Sequence, residues 1–190
     1  MEPIFKTREE WLRFVAEGMR PVFKRWEVKL PDKYRITMSM ISGKTTIGRC
    51  YSPESSADGT YEILIRLDQV DPMEVASVLA HELIHAAVGL EHKHTGEFKR
   101  VALDMGFVGK MTHSVPGELF KAAIKPILER AGPFPHARLD WSKHSGPPKQ
   151  TTRMKKTECS VCGYTVRLSE KWLSVGIPEC PVDRVKMVSA

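Results

Sequence analysis

The chain has 190 residues, 42% of them hydrophobic and 27% charged, with 29 Lys and Arg against 23 Asp and Glu. That composition suits a soluble globular protein with one well-buried domain and a small appendage, and excludes a disordered chain, a fibrous chain or two full domains. No apolar run approaches the roughly 20 residues that cross a bilayer, and MEPIFKTREEW lacks the features of a signal peptide, so a cytoplasmic or nucleoid-associated protein is expected, neither membrane-bound nor secreted.

In chain order, Thr7 with Glu10 resembles a capping box, and Trp11, Phe14, Val15, Val22 and Trp26 recur at helical spacing. Pro21 is expected to end or kink that helix. Residues 34–50 and 60–67 are strand-like: Ile36, Met38 and Met40 alternate with polar residues, as do Tyr61, Ile63, Ile65 and Leu67. SPESSADG between them is a turn-rich loop. Asp71, Pro72 and Glu74 form a helix start, with Asp71 as N-cap and Glu74 reaching back to it. Val75, Val78, Leu79, Leu83 and Ala86 continue at helical spacing to a stop near Gly89. A further helix from about Gly96 carries Phe98, Val101, Ala102 and Met105 on one face and stops at Gly106, and another is expected from about Pro116 to Arg130.

The segment HELIH lies inside the second of these helices. His81 and His85, four residues apart, can aim two imidazole nitrogens at one ion, a spacing that suits zinc. Glu82 projects beside them, where it can take a proton from a water acidified by the metal without itself being a ligand. The pattern arises by chance in about 2% of shuffled chains of this composition, so the weight rests on context. Three ionisable groups interrupt the apolar stretch AHELIHAAVGL, where they would be costly without a metal. Catalytic zinc takes three protein ligands and leaves a position to water. Candidates for the third are His92, His94, His113 and carboxylates such as Glu91. His94 precedes the Phe98 helix and would be returned to the metal by a turn after Gly89; His92 is its rival.

These residues resemble the SprT-like metallopeptidase family, the group that includes the Spartan DNA-protein crosslink proteases. In that family the zinc helix is followed by a His-Gly-x-x-Phe arrangement. His94, Thr95, Gly96, Glu97 and Phe98 match it with the Gly displaced by one, and the resemblance assigns His94 over His92. It extends from about Gly48 through Gly109 and resumes over Cys159 to Cys180, in a segment like the family's C-terminal zinc ribbon. It implies proteolysis near DNA, with proteins attached to DNA as a substrate class.

The tail departs from the simplest ribbon. Cys159 and Cys162 form a C-x-x-C knuckle, but Cys180 is followed by Asp183 where a fourth Cys or His is expected. A second, structural zinc held by Cys159, Cys162, Cys180 and Asp183 is the favoured reading. The alternatives are a ribbon without metal, or a remote donor such as His136 or His144. Cys50 is expected to be a buried small hydrophobe. Tyr164, Arg167, Lys171 and Trp172 could stack on bases and contact phosphates, although Trp172 with Leu173 is more simply the core of the mini-domain.

Residues 132–156 hold 6 Lys and Arg against 1 Asp or Glu, and four prolines, whereas 1–131 hold 19 against 18 and 157–190 hold 4 against 4. The middle stretch therefore reads as a basic, Pro-rich linker that could attract DNA through counterion release. The expected architecture is α+β: a zincin-like metallopeptidase domain over 1–131, the linker over 132–156 and a zinc-ribbon-like tail over 157–190. An edge strand beside the metal helix, placed within 60–67, would pair with an extended protein substrate. Two other readings are a nucleic-acid-binding zinc adaptor without catalysis, whose metal site would be closed by His92 or Glu91, and a hydrolase acting on a non-peptide bond.

Overall fold

The first helix, α1 (Arg8–Arg25), starts where the sequence places it: Thr7 Oγ1 accepts from the Glu10 amide, and the Glu10 carboxylate accepts from the Thr7 amide. The computed structural model of the chain describes residues 4–43, 45–140, 143 and 153–189, which fall into two compact units, Met1–Ser142 and Lys143–Ala190. Pro21 does not end α1, which continues to Arg25. Trp11, Leu12, Val15, Ala16 and Met19 before it and Phe23 after it are fully buried. That packing outweighs the about 3 kcal/mol a mid-helix proline costs.

In the first unit a three-stranded sheet has the order β1-β3-β2, with β1 (Tyr34–Ser39) parallel and β2 (Gly48–Tyr51) antiparallel to β3 (Tyr61–Arg66). The strand-like stretch 34–50 is thus two strands separated by a loop, and Met40, expected to alternate inward, is 69% exposed beyond the end of β1. Ile63 and Ile65 are fully buried. Because β3 is paired on both sides, the strand placed at the substrate-binding edge is the centre of the sheet. Among the described residues the strand with a free edge that packs on the HELIH helix is β2.

The helix bearing HELIH, α2 (Pro72–Val88), packs on the sheet, α1, α3 (Gly96–Asp104) and α4 (Glu118–Ala131). Asp71 caps it by accepting from the Glu74 amide at 2.9 Å, while the Glu74 side chain lines a surface cleft instead of returning to the cap. Between α3 and α4, β4 (Phe107–Val108) and β5 (Val115–Pro116) form a short antiparallel ribbon.

The stretch read as a linker from 132 begins as part of this unit. Trp11 Nε1 donates to the Gly132 carbonyl at 3.1 Å, and the buried Phe134 meets the Trp11 ring edge-on at 4.9 Å. His136 Nε2 lies 2.9 Å from the Lys6 carbonyl. The apolar Phe134, among prolines and charges, is what anchors it.

In the second unit β6 (Lys155–Glu158) pairs with β7 (Thr165–Leu168) and β8 (Val188–Ser189), and α5 (Glu170–Val175) follows β7. Among its described residues the buried apolar ones are Cys159, Cys180 and Met187, backed by Val166 and Val185. Trp172 is not part of that core; it is 57% exposed, with Lys171 Nζ 5.3 Å from the ring centroid. Among the described residues no helix is long and apolar enough to cross a membrane.

Candidate metal centres

His81 and His85 project from one face of α2, and the chain returns a third imidazole to them within nine residues. Gly89 ends α2 with φ +99°, a conformation side-chain-bearing residues rarely adopt, and a short 3₁₀ turn then brings His94 back. His94 Nε2 lies 3.1 Å from His81 Nε2 and 3.3 Å from His85 Nε2. Three nitrogens bound tetrahedrally to zinc at their usual bond length stand about 3.3 Å apart. The histidine donors therefore fit a zinc ion with a fourth position for another ligand. Neither His92, Glu91 nor His113 belongs to this group of converging donor atoms. His92 Nε2 instead lies 4.0 Å from a Glu91 oxygen.

The surroundings favour neutral imidazoles, the form that binds metal. Burial, reinforced by the neighbouring histidines, pushes His81 down to about 3 and His85 to about 4, and burial also lowers His94. Phe98 of α3, fully buried, packs against all three rings. His81 Nδ1 is 3.1 Å from Ser114 Oγ, whereas His85 Nδ1 is buried with no hydrogen-bond partner among the described residues.

Glu82 lies against β2, where it meets Gly48 and the Cys50 amide, and is 6% exposed. A Cβ added at Gly48 would lie 2.5 Å from Glu82 Oε1 and 2.6 Å from Val78 Cγ1, so the strand can approach α2 this closely only as glycine. Burial pushes Glu82 up to about 8, opposed by the charge of Arg49 and the amide of Cys50. A carboxyl group raised toward neutrality can exchange a proton near neutral pH, and it stands on the same helix as histidines that could hold a metal. A cleft of about 480 Å³ is lined by His81 and His94 together with residues of three segments, Thr45 to Gly48, Glu74 to Val78 and Thr112 to Val115.

The tail holds a second convergence. Cys162 Sγ is 3.5 Å from Cys180 Sγ, and Asp183 Oδ2 lies 3.3 Å from Cys159 Sγ and 3.5 Å from Cys180 Sγ. These are close to the roughly 3.6 to 3.8 Å edges expected of a tetrahedral zinc with thiolate and carboxylate ligands. The amides of Val161 and Asp183 point at Cys159 and Cys180 sulfurs, at 3.4 and 3.5 Å. Asp183 is lowered by hydrogen bonds from Cys162 and Cys159, and beside it the Cys162 thiol is pushed up to about 12. His136 is engaged with Lys6, and His144 lies outside the described residues. Cys50 is buried and its thiol is pushed up to about 12, mainly by burial, as suits an inert core residue.

No family model, curated protein or solved structure matches the chain. What the two sites can do is therefore argued from their own geometry. Every sequence-chosen donor converges as a group with partners: His81, His85 and His94 in the first unit, Cys159, Cys162, Cys180 and Asp183 in the second. Three contributors were not read from the sequence: Phe98 as the common support of the histidines, Ser114 as the partner of His81, and Gly48 as the backbone site against Glu82. A glycine inside the strand-like stretch 34–50 was the signal available for Gly48. Ser114, 33 residues from His81, carried none.

Proposed function

We propose that the chain is a zinc-dependent metallopeptidase with a zincin-like, SprT-like catalytic unit, which hydrolyses peptide bonds of extended protein segments, with DNA-associated proteins as its substrate class. The observation that carries this reading is the convergence of three histidine Nε2 atoms at a cleft, with Glu82 on the same helix held against Gly48 of an edge strand. Zinc in this site supplies a Lewis acid that acidifies water and polarises a carbonyl.

The remaining work belongs to the chain's own residues. The unpaired side of β2 offers backbone amides and carbonyls to an extended polypeptide, which fixes its register. One substrate side chain then enters the cleft between Ile47, Val78 and Val115. Glu82 accepts the proton of the attacking water and returns it to the leaving amine. An adaptor would be served by a closed coordination sphere, and the separation of His92 and Glu91 from the cluster supports the catalytic reading instead. The tail's four-donor set suits a structural metal that staples a unit with very little core. The exposed Tyr164, and the exposed Trp172 with Lys171 over its ring, present stacking faces and charge for single-stranded DNA.

The test is turnover of an unfolded protein by the zinc-loaded full chain, with and without single-stranded DNA, alongside small amide and ester substrates. Glu82→Gln should keep zinc and lose about 10² to 10⁴-fold of the proteolytic rate. Equal proteolysis by both proteins at equal zinc content would sink the catalytic reading, and activity confined to the small substrates would replace it with a non-peptide hydrolase.

A further inference from the structure

The loop Gly109 to Ser114, whose Thr112, His113 and Ser114 line the cleft, is fixed at both ends. Before it, the buried Phe107 packs on Phe120 with centroids 4.6 Å apart; within it Met111 is buried, and after it Val115 pairs with Val108. That pinning holds the Ser114 hydroxyl 3.1 Å from His81 Nδ1. His81 Nε2 faces the other histidines, so its Nδ1 must carry the ring proton when Nε2 binds a cation, and Ser114 Oγ is the acceptor for that N–H.

We propose that Ser114 is a positioning residue of the metal centre: its hydroxyl selects the Nδ1–H tautomer of His81 and aims Nε2 at the ion. Of the two helix-borne ligands, His81 alone has such a partner, since His85 Nδ1 has none among the described residues. The loop and the metal site are thereby linked, through the Ser114–His81 hydrogen bond and the edge contact of Phe107 with the His81 ring. This rests on the reading of His81, His85 and His94 as zinc ligands.

The experiment measures zinc affinity of the full chain by chelator competition, the histidine site being identified as the zinc lost in His94→Ala. Ser114→Ala should weaken that site about 10 to 100-fold. Ser114→Thr keeps the hydroxyl on an extended backbone (φ −67°, ψ 144°) that threonine accepts, and should stay within about threefold of wild type. Imidazole ¹⁵N shifts of the metal-free protein should show His81 as the Nδ1–H tautomer in wild type and as a mixture in Ser114→Ala. Wild-type affinity with an unchanged tautomer in Ser114→Ala would overturn the proposal, as would a Ser114→Thr protein as weak as the alanine variant. A wild-type protein with no His94-dependent zinc would overturn the metal reading itself, and this proposal with it.

Discussion

The ring of Phe98 lies stacked on the imidazole of His85, with centroids 4.2 Å apart and planes 27° apart. The same ring meets His81 at 4.8 Å and His94 at 5.1 Å, so one buried side chain braces three donors that come from two separate segments. It restricts their rotation before any ion arrives, which reduces the ordering cost of binding.

Phe98→Leu keeps the position apolar but removes the flat face. Zinc affinity of the histidine site should fall about tenfold, as for loss of other supports of metal ligands, with a stability loss of about 1 to 2 kcal/mol. Phe98→Ala should cost about 3 to 5 kcal/mol because it leaves a cavity. Chelator competition and urea unfolding measure the two effects separately. Unchanged affinity in a destabilised Phe98→Leu protein would reduce Phe98 to a core residue.

The assignment of the third ligand gives a second expectation. His94→Ala should remove zinc from the first unit, because His94 Nε2 lies within 3.3 Å of both other donors. His92→Ala should leave it bound. Elemental analysis of the full chain in a Cys159→Ser background reads out the first-unit site alone, and the reverse pattern would show that His92 is the ligand.

What could be read in advance followed the reach of local rules. The cap at Thr7, the start at Asp71 and the stop at Gly89 depend on neighbours a few residues away, and they stand in the structure. The HELIH spacing places two donors by helix geometry alone. Strand order is a non-local property, so 60–67 looked as suitable for an edge as any strand, although β3 lies between β1 and β2. Phe134 was hidden by its prolines and charges, and its role depends on Trp11, more than a hundred residues earlier. Trp172 misled in the opposite sense: an aromatic in a small unit suggests core, but here the converging cysteines and Met187 occupy the interior.

For the tail, two zinc ions per full chain are expected, and Cys159→Ser should remove one of them. The second unit should then lose ordered structure, because the three buried apolar residues among its described ones cannot hold it together unaided. Asp183→Cys replaces a carboxylate oxygen with a thiolate and should tighten the site. Elemental analysis and amide exchange over 153–189 report both outcomes. A stoichiometry of one zinc, indifferent to Cys159→Ser, would show that the four groups converge without a metal.

The last expectation concerns the metal-free protein, where Glu82 and the histidines pull stability in opposite directions with pH. Glu82 titrates at about 8 in the fold, above its usual 4.5, so its contribution is full below about pH 4.5 and is lost as pH rises through 8. His81 and His85 titrate at about 3 and about 4, below their usual 6.5, so their contribution is full above 6.5 and is lost as pH falls through 4 and then 3. Between 4.5 and 6.5 two histidines outweigh one carboxyl group and stability rises; above 6.5 only Glu82 still acts and stability falls. The maximum from these groups lies near pH 6.5, with a falling limb of at most about 1.4 kcal/mol per pH unit up to 8. Glu82→Gln cannot ionise and should flatten that limb, steepen the rise between 4.5 and 6.5 where the carboxyl group no longer opposes the histidines, and leave the profile below 4.5 unchanged. Zinc should flatten it as well, because a nearby dication favours the Glu82 carboxylate. Urea unfolding at pH 6.5 and 8.5, in chelator and then in zinc, measures all three cases. An identical loss between the two pH values in wild type and Glu82→Gln would show that Glu82 does not titrate in this range, and that burial does not hold its proton near neutrality.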